Sequence, residues 1–153
     1  MAQMTASGGE FAPPRPAHLQ WRYIALVAAG GAVGTAVRAA VSLVVADIGP
    51  VPVATLTVNL IGAFVLGALL EALAISGPDR GRRLGARLFL GTGVLGGFTT
   101  YSALATATAE LAVGGQVGWA AAYALGTVLL GGLASALGIA VGGLVGRRRG
   151  VVP

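Results

Sequence analysis

Four long apolar runs, separated by short stretches of turn chemistry, fill the chain from residue 21 to residue 145. They cover 21–46, 53–75, 84–113 and 116–145, and each reaches the ~20 residues that a helix needs to cross a hydrocarbon core of ~30 Å. Between them lie Asp47-Ile48-Gly49-Pro50, the stretch 76–83 and the pair Gly114-Gly115, all of turn or helix-breaking composition. The runs lack the period-two alternation of a membrane strand. Inside lipid every backbone amide must be paired within the segment, so the pattern predicts helices. The fourth run is longer than one crossing requires, which predicts tilt or extension beyond the bilayer. Residues 1–20 read differently. Pro13, Pro14 and Pro16 interrupt any helix, and no apolar stretch with a cleavage site follows a basic start, which predicts a disordered arm rather than a signal peptide. The expected organisation is an arm over 1–20, a four-helix transmembrane domain over 21–146 and a basic tail over 147–153.

Composition sharpens this. Of 153 residues, 56% are hydrophobic and 10% charged, where a soluble domain carries about 25% charged residues. Such a chain can be neither a cytosolic globule nor intrinsically disordered. It has no cysteine, and its single histidine, His18, sits in the arm, so no thiolate site or histidine cluster can form. The 26 glycines would weaken helices in water, whereas in lipid they let helix backbones approach closely. Gly30/Gly34, Gly93/Gly97, Gly138/Gly142 and Gly142/Gly146 are candidate crossings, although a glycine-rich chain also produces such pairs by chance.

All ten basic residues are arginine, and nine of them fall on one side of a four-span threading: Arg15 and Arg22, then Arg80, Arg82, Arg83 and Arg87, then Arg147, Arg148 and Arg149. The positive-inside rule then predicts a multi-pass plasma-membrane protein with both termini in the cytoplasm. Topology accounts for the basic balance without nucleic acid as a partner.

Polar groups inside spans are costly and are the first candidates for function. Arg38 lies in the outer half of the first span. It reads either as a structural or anion-attracting charge or as an arginine snorkelling to the interface. Thr55 and Asn59 are four apart in the second span and share a face. The third span contains Gly96-Gly97 followed by Thr99-Thr100 and Ser102, a poor continuous helix that predicts a break at membrane depth, where freed carbonyls can line a cavity or bind an ion. In the fourth span Tyr123, Thr127, Gly131 and Ser135 recur every four residues. That stripe is also what a packing face with back-bonded hydroxyls looks like. Glu71 and Glu110 sit near span ends, so no carboxylate lies at mid-membrane and no nucleophile–base pair exists. An enzyme is not expected, and a proton-coupled four-helix carrier is disfavoured. Neutral donors without carboxylates favour an anion or a neutral polar solute over a cation.

Taken together, GGAVGTAVR (30–38), TLTVN (55–59) with Gly62 following, GGFTTYS (96–102), and Tyr123 with Thr127 resemble the CrcB/Fluc family of fluoride channels over about residues 28–135. The resemblance implies passive fluoride export through an antiparallel dimer of four-helix subunits, each with its third helix broken. It implies pore-lining roles for Asn59, Thr55, Tyr101, Tyr123 and Thr127. It also implies a structural Na+ held by the backbone carbonyls of Gly96 and Thr99. The family's two phenylalanines after the threonine pair are here Tyr101 and Leu104, its following glutamate falls at Ala107 with Glu110 one turn on, and the next helix-4 hydroxyl falls at Gly131. An antiparallel homodimer needs weak arginine bias, and the bias here is strong. The expectation is therefore one half of an antiparallel heterodimer with a homologous second subunit. The alternatives are a small-solute or proton-coupled transporter and a non-conducting partner subunit.

Overall fold

The computed structural model describes Pro16 and residues 19–149, with side chains through residue 146. Most of the arm expected over 1–20 and the end of the tail lie outside the described residues. The spans are α1 (Trp21–Val44), α2 (Val53–Ile75), a composite third span, and α6 (Val117–Arg149). The third span runs α3 (Arg82–Ala86), a π-helical stretch (Arg87–Leu95), a single turn α4 (Gly96–Phe98), and α5 (Tyr101–Val113). Among the described residues four segments are long and apolar enough to cross a membrane: Trp21–Val44, Val53–Ile75, Arg82–Val113 and Val117–Gly146. The second span has the predicted bounds. The first stops two residues short because Val45 turns extended (φ −96°, ψ 110°). Ile48 and Val51 then pair backbone to backbone at 3.2 and 3.1 Å around Gly49, whose φ of 57° lies in the left-handed region that glycine enters at least cost. At the other end α6 continues through Arg149, so the first three residues of the expected tail extend the helix.

The third span is the hub. The π stretch and α4 pack on α1, α2 packs along α6, and α5 leans on α6. Glycine sets these approaches. A Cβ on Gly30 would strike the Phe89 carbonyl and lie 3.0 Å from Gly93 Cα, and one on Gly34 would strike the Val94 carbonyl. A Cβ on Gly97 would collide with the Gly31 carbonyl, while Gly138 and Gly142 abut the backbone of Phe64 and Ala68. Gly146 completes the seam, where an added Cβ would come within 3.1 Å of the Ile75 side chain. All four small-residue pairs therefore mark close crossings. Gly67, outside those pairs, lies as tightly against Ser135.

The interior is small. Val58 is 1% exposed, and Leu104, Leu111, Ala120 and Tyr123 form the one larger apolar cluster among the described residues. Leu43, Leu125, Leu129 and Leu133 are all more than half exposed. An outward apolar face of this kind suits lipid, which asks for no polar surface.

Candidate functional site at the broken span

The helix fails where Gly96-Gly97-Phe98-Thr99-Thr100 predicts it. Thr99 leaves the helix at φ −79°, ψ 155°, and Thr100 is fully extended at φ −148°, ψ 115°. Thr99 still looks backward: both its amide and its hydroxyl donate to the Leu95 carbonyl, at 3.0 and 2.9 Å. Thr100 looks forward. Its Oγ1 accepts from the Ala103 amide at 3.2 Å and so caps α5. The preceding π stretch, whose widened turns often accompany functional sites, has already loosened the ladder.

Two neighbouring spans hold the opened backbone. From α2, Asn59 binds Thr100 twice. Its Nδ2 donates to the Thr100 carbonyl at 3.1 Å, and its Oδ1 accepts from the Thr100 amide at 2.8 Å. Gly62, one turn on, leaves room for the Thr99 methyl. From α1, Arg38 Nε donates to the Gly97 carbonyl at 3.2 Å, with the Thr35 hydroxyl on the same oxygen at 3.5 Å. Arg38 therefore has a backbone partner on the third span. The sequence missed this partner, and the signal that could have found it is the register Gly30, Gly34, Arg38. Two glycines bring one helix face close, and the next position on that face carries the donor.

The carbonyls of Gly96 and Thr99 are left without helical partners. Their i+4 donors are the amides of Thr100 and Ala103, which bind Asn59 and Thr100 Oγ1 instead. Uncharged carbonyl oxygens released in this way are hard ligands that suit a monovalent cation. Among the described residues no group of three or more His, Asp or Glu side chains could hold a metal.

Beside the break, a groove is lined by Asn59, Thr99, Thr100, Tyr101, Leu104 and Thr127. Asn59, Tyr101 and Thr127, each expected from the sequence, are brought together here. Tyr101 projects outward at 82% exposure, whereas Thr127 is buried. The Thr127 hydroxyl donates to the Tyr123 carbonyl at 2.7 Å, so its proton is committed to its own helix and its lone pairs remain. Thr127 also lines a second groove with Tyr123, Leu56 and Trp119, which links the two hollows. The Tyr123 hydroxyl is buried beside Thr55 without a hydrogen bond of good geometry. Thr55 itself opens on a third hollow near Asp47 and Ser42. Thr55 and Tyr123 therefore form a neighbouring cluster rather than part of the Asn59 groove. Ser135 belongs to the packing seam with Gly67, and Gly131 borders the groove without a side chain. Neither Glu71, which lies beside Gly143, nor Glu110, in a separate hollow with Val113, lines the groove at the break.

A family model described as "CrcB-like protein, Camphor Resistance (CrcB)" matches residues 25–139. Similar relatives include "Fluoride-specific ion channel FluC 2" of Leifsonia xyli subsp. xyli, 53% identical over 136 residues that cover 89% of this chain and 94% of the relative. The "Fluoride-specific ion channel FluC 1" of Cutibacterium acnes is 48% identical over 115 residues, 72% of this chain and 78% of that one. The "Fluoride-specific ion channel FluC" of Thermus thermophilus is 46% identical over 128 residues, 82% and 98% of the two chains.

Proposed function

The chain belongs to the CrcB family, and from that premise we propose that it is a subunit of a fluoride-specific ion channel, through which the anion leaves the cytoplasm passively. The observation that carries the reading is the groove at the break, where Asn59, Thr127 and Tyr101 converge on a span whose backbone is opened and held. Its polar groups are neutral, and no carboxylate lines it. A small anion that has shed water is met by amide and hydroxyl dipoles, several weak sites in a row, each strong enough to replace hydration and weak enough to release. Asn59 keeps one N–H beyond its bonds to Thr100 for this purpose. The linked hollow beside Thr127 brings in a further free donor on α6, the Tyr123 hydroxyl. No proton-coupling group is required, which separates a channel from a carrier.

The subunit would work in an antiparallel dimer, with both of its termini in the cytoplasm of a cell whose plasma membrane it spans. The freed carbonyls of Gly96 and Thr99 fit a structural Na+, which when bound would supply a fixed positive charge at the break. The strong arginine asymmetry favours a homologous second subunit inserted the other way, and Leu104 and Gly131 leave two of this chain's own groove positions without an aromatic edge or a hydroxyl.

The test is fluoride efflux from proteoliposomes, read with a fluoride electrode and no proton gradient. Asn59→Asp puts a carboxylate in the path. Two like charges ~4 Å apart repel by about 4 kcal/mol at an effective dielectric of ~20, so efflux should fall at least about a hundredfold. Efflux equal to the unaltered protein's would remove Asn59 from the path. No efflux from the unaltered chain, alone or with a homologous mate, would overturn the reading.

A further inference from the structure

A glycine pair does not by itself open a helix. Gly96 and Gly97 both keep helical backbone here, and the departure comes only at Thr99 and Thr100, neither of which is glycine. In a continuous helix the amide of Thr100 would bind the Gly96 carbonyl, and that of Tyr101 the Gly97 carbonyl. One group of each pair is taken by another span. Asn59 of α2 holds the Thr100 amide, and Arg38 of α1 occupies the Gly97 carbonyl from 59 residues away. The placement of α1 that allows this is set by Gly34, whose missing Cβ makes room for the Val94 carbonyl and leaves the Phe98 amide close by. Gly30, Gly34 and Arg38 share one helix face, so the approach and the donor come together.

We propose that the break is imposed on the third span by its two neighbours, and that Arg38 is its positioning residue: by occupying the Gly97 carbonyl, Arg38 denies the Tyr101 amide its helical acceptor and keeps the span open. Among the described residues no carboxylate pairs with Arg38; the one ion pair joins Arg87 to Asp79. A partly buried guanidinium without a counter-ion binds a carbonyl through a charge-assisted hydrogen bond, roughly twice as strong as a neutral one. The neutral backbone donor of Tyr101 is therefore outcompeted while Arg38 is present. This competition depends on the geometry of the break alone, whichever ion passes.

The experiment is amide hydrogen exchange over residues 99–104 in detergent or nanodiscs, comparing the full chain with Arg38→Met, which keeps length and removes every donor. Loss of an ordinary structural contact speeds exchange. Here the freed Gly97 carbonyl recovers the Tyr101 amide, so exchange at Tyr101 and Ser102 should slow by at least about tenfold, the ratio expected when a charge-assisted bond no longer competes. Unchanged or faster exchange in that window would overturn the proposal. If Arg38→Met gives no folded protein, Asn59→Leu is read in the same way. It frees the Thr100 amide for Gly96, slower exchange at Thr100 is expected, and unchanged or faster exchange overturns the idea. Fluoride efflux from proteoliposomes that hold the same variants together with a homologous mate reads the channel assignment separately.

Discussion

At the scale of single residues, the chain uses glycine for proximity and a few polar side chains for backbone that proximity has exposed. Gly34 and Gly31 are three apart on α1 and differ in what a methyl would meet. Gly34→Ala drives a Cβ into the Val94 carbonyl and within 2.8 Å of the Phe98 amide, whereas at Gly31 nothing lies within 4 Å. Overpacking typically costs about 1–3 kcal/mol, so Gly34→Ala should lower the thermal aggregation midpoint in detergent by several degrees, and Gly31→Ala should leave it unchanged. Equal shifts would show that the α1 crossing is not where the strain falls. Asn59 is legible in the sequence as a candidate because an amide in a span must find partners. Its partner is not, because Thr100 lies 41 residues away and offers only backbone. Arg38 stays between two readings for the same reason, since sequence carries no record of which carbonyl lacks a donor. Thr127 shows the reverse case: the back-bonded hydroxyl that the stripe allowed is the arrangement found.

At the scale of elements, the second span and the position of the break are readable, because apolar length acts locally and the Gly-Gly-x-Thr-Thr order marks where the helix is weakest, although the groups that hold it open come from α1 and α2. The π stretch over Arg87–Leu95 is not. Its wider turns have no composition of their own and are adopted against α1, where Gly30 and Gly93 allow contact with the Phe89 carbonyl and Val27. Restarting the helix after the break depends on Thr100, the only side-chain cap found at the start of α5. Thr100→Val keeps the shape and removes the acceptor for the Ala103 amide. Loss of an N-cap costs about 1 kcal/mol, and amide exchange at Ser102 and Ala103 should quicken accordingly, about fivefold. Thr100→Ser should restore it. Thr100→Val should leave exchange in α6 as it was, since the Thr100 hydroxyl bonds to Ser102 and Ala103 of α5. A uniform change along the whole chain would mean that the cap supports the fold and not the break.

At the scale of the whole molecule, the charge pattern and the fold agree on one end. Arg22 at the start of α1, and Arg80, Arg82, Arg83 and Arg87 around the start of the third span, flank the same end of the alternating spans, and α6 returns its three arginines there. The turn at Asp47 and the Gly114-Gly115 turn, at the opposite end, carry no arginine. With both tendencies aligned the chain should insert one way. The absence of native cysteine makes this directly readable. Pro78→Cys and Gln116→Cys each place one thiol in a turn, at opposite ends. A membrane-impermeant maleimide added to intact cells should label the second and spare the first. Replacing Arg80, Arg82 and Arg83 together by glutamine should produce labelling at both positions, since each cationic residue near a span end contributes to orientation. Single-sided insertion forces a consequence for activity: a chain that always faces one way cannot form an antiparallel pair with itself. Expressed alone, it should give little efflux, and a homologue of opposite arginine bias should restore it. Labelling of both single-cysteine variants with every arginine in place, together with efflux from the chain alone, would instead assign the arginines to the surface and make the second subunit unnecessary.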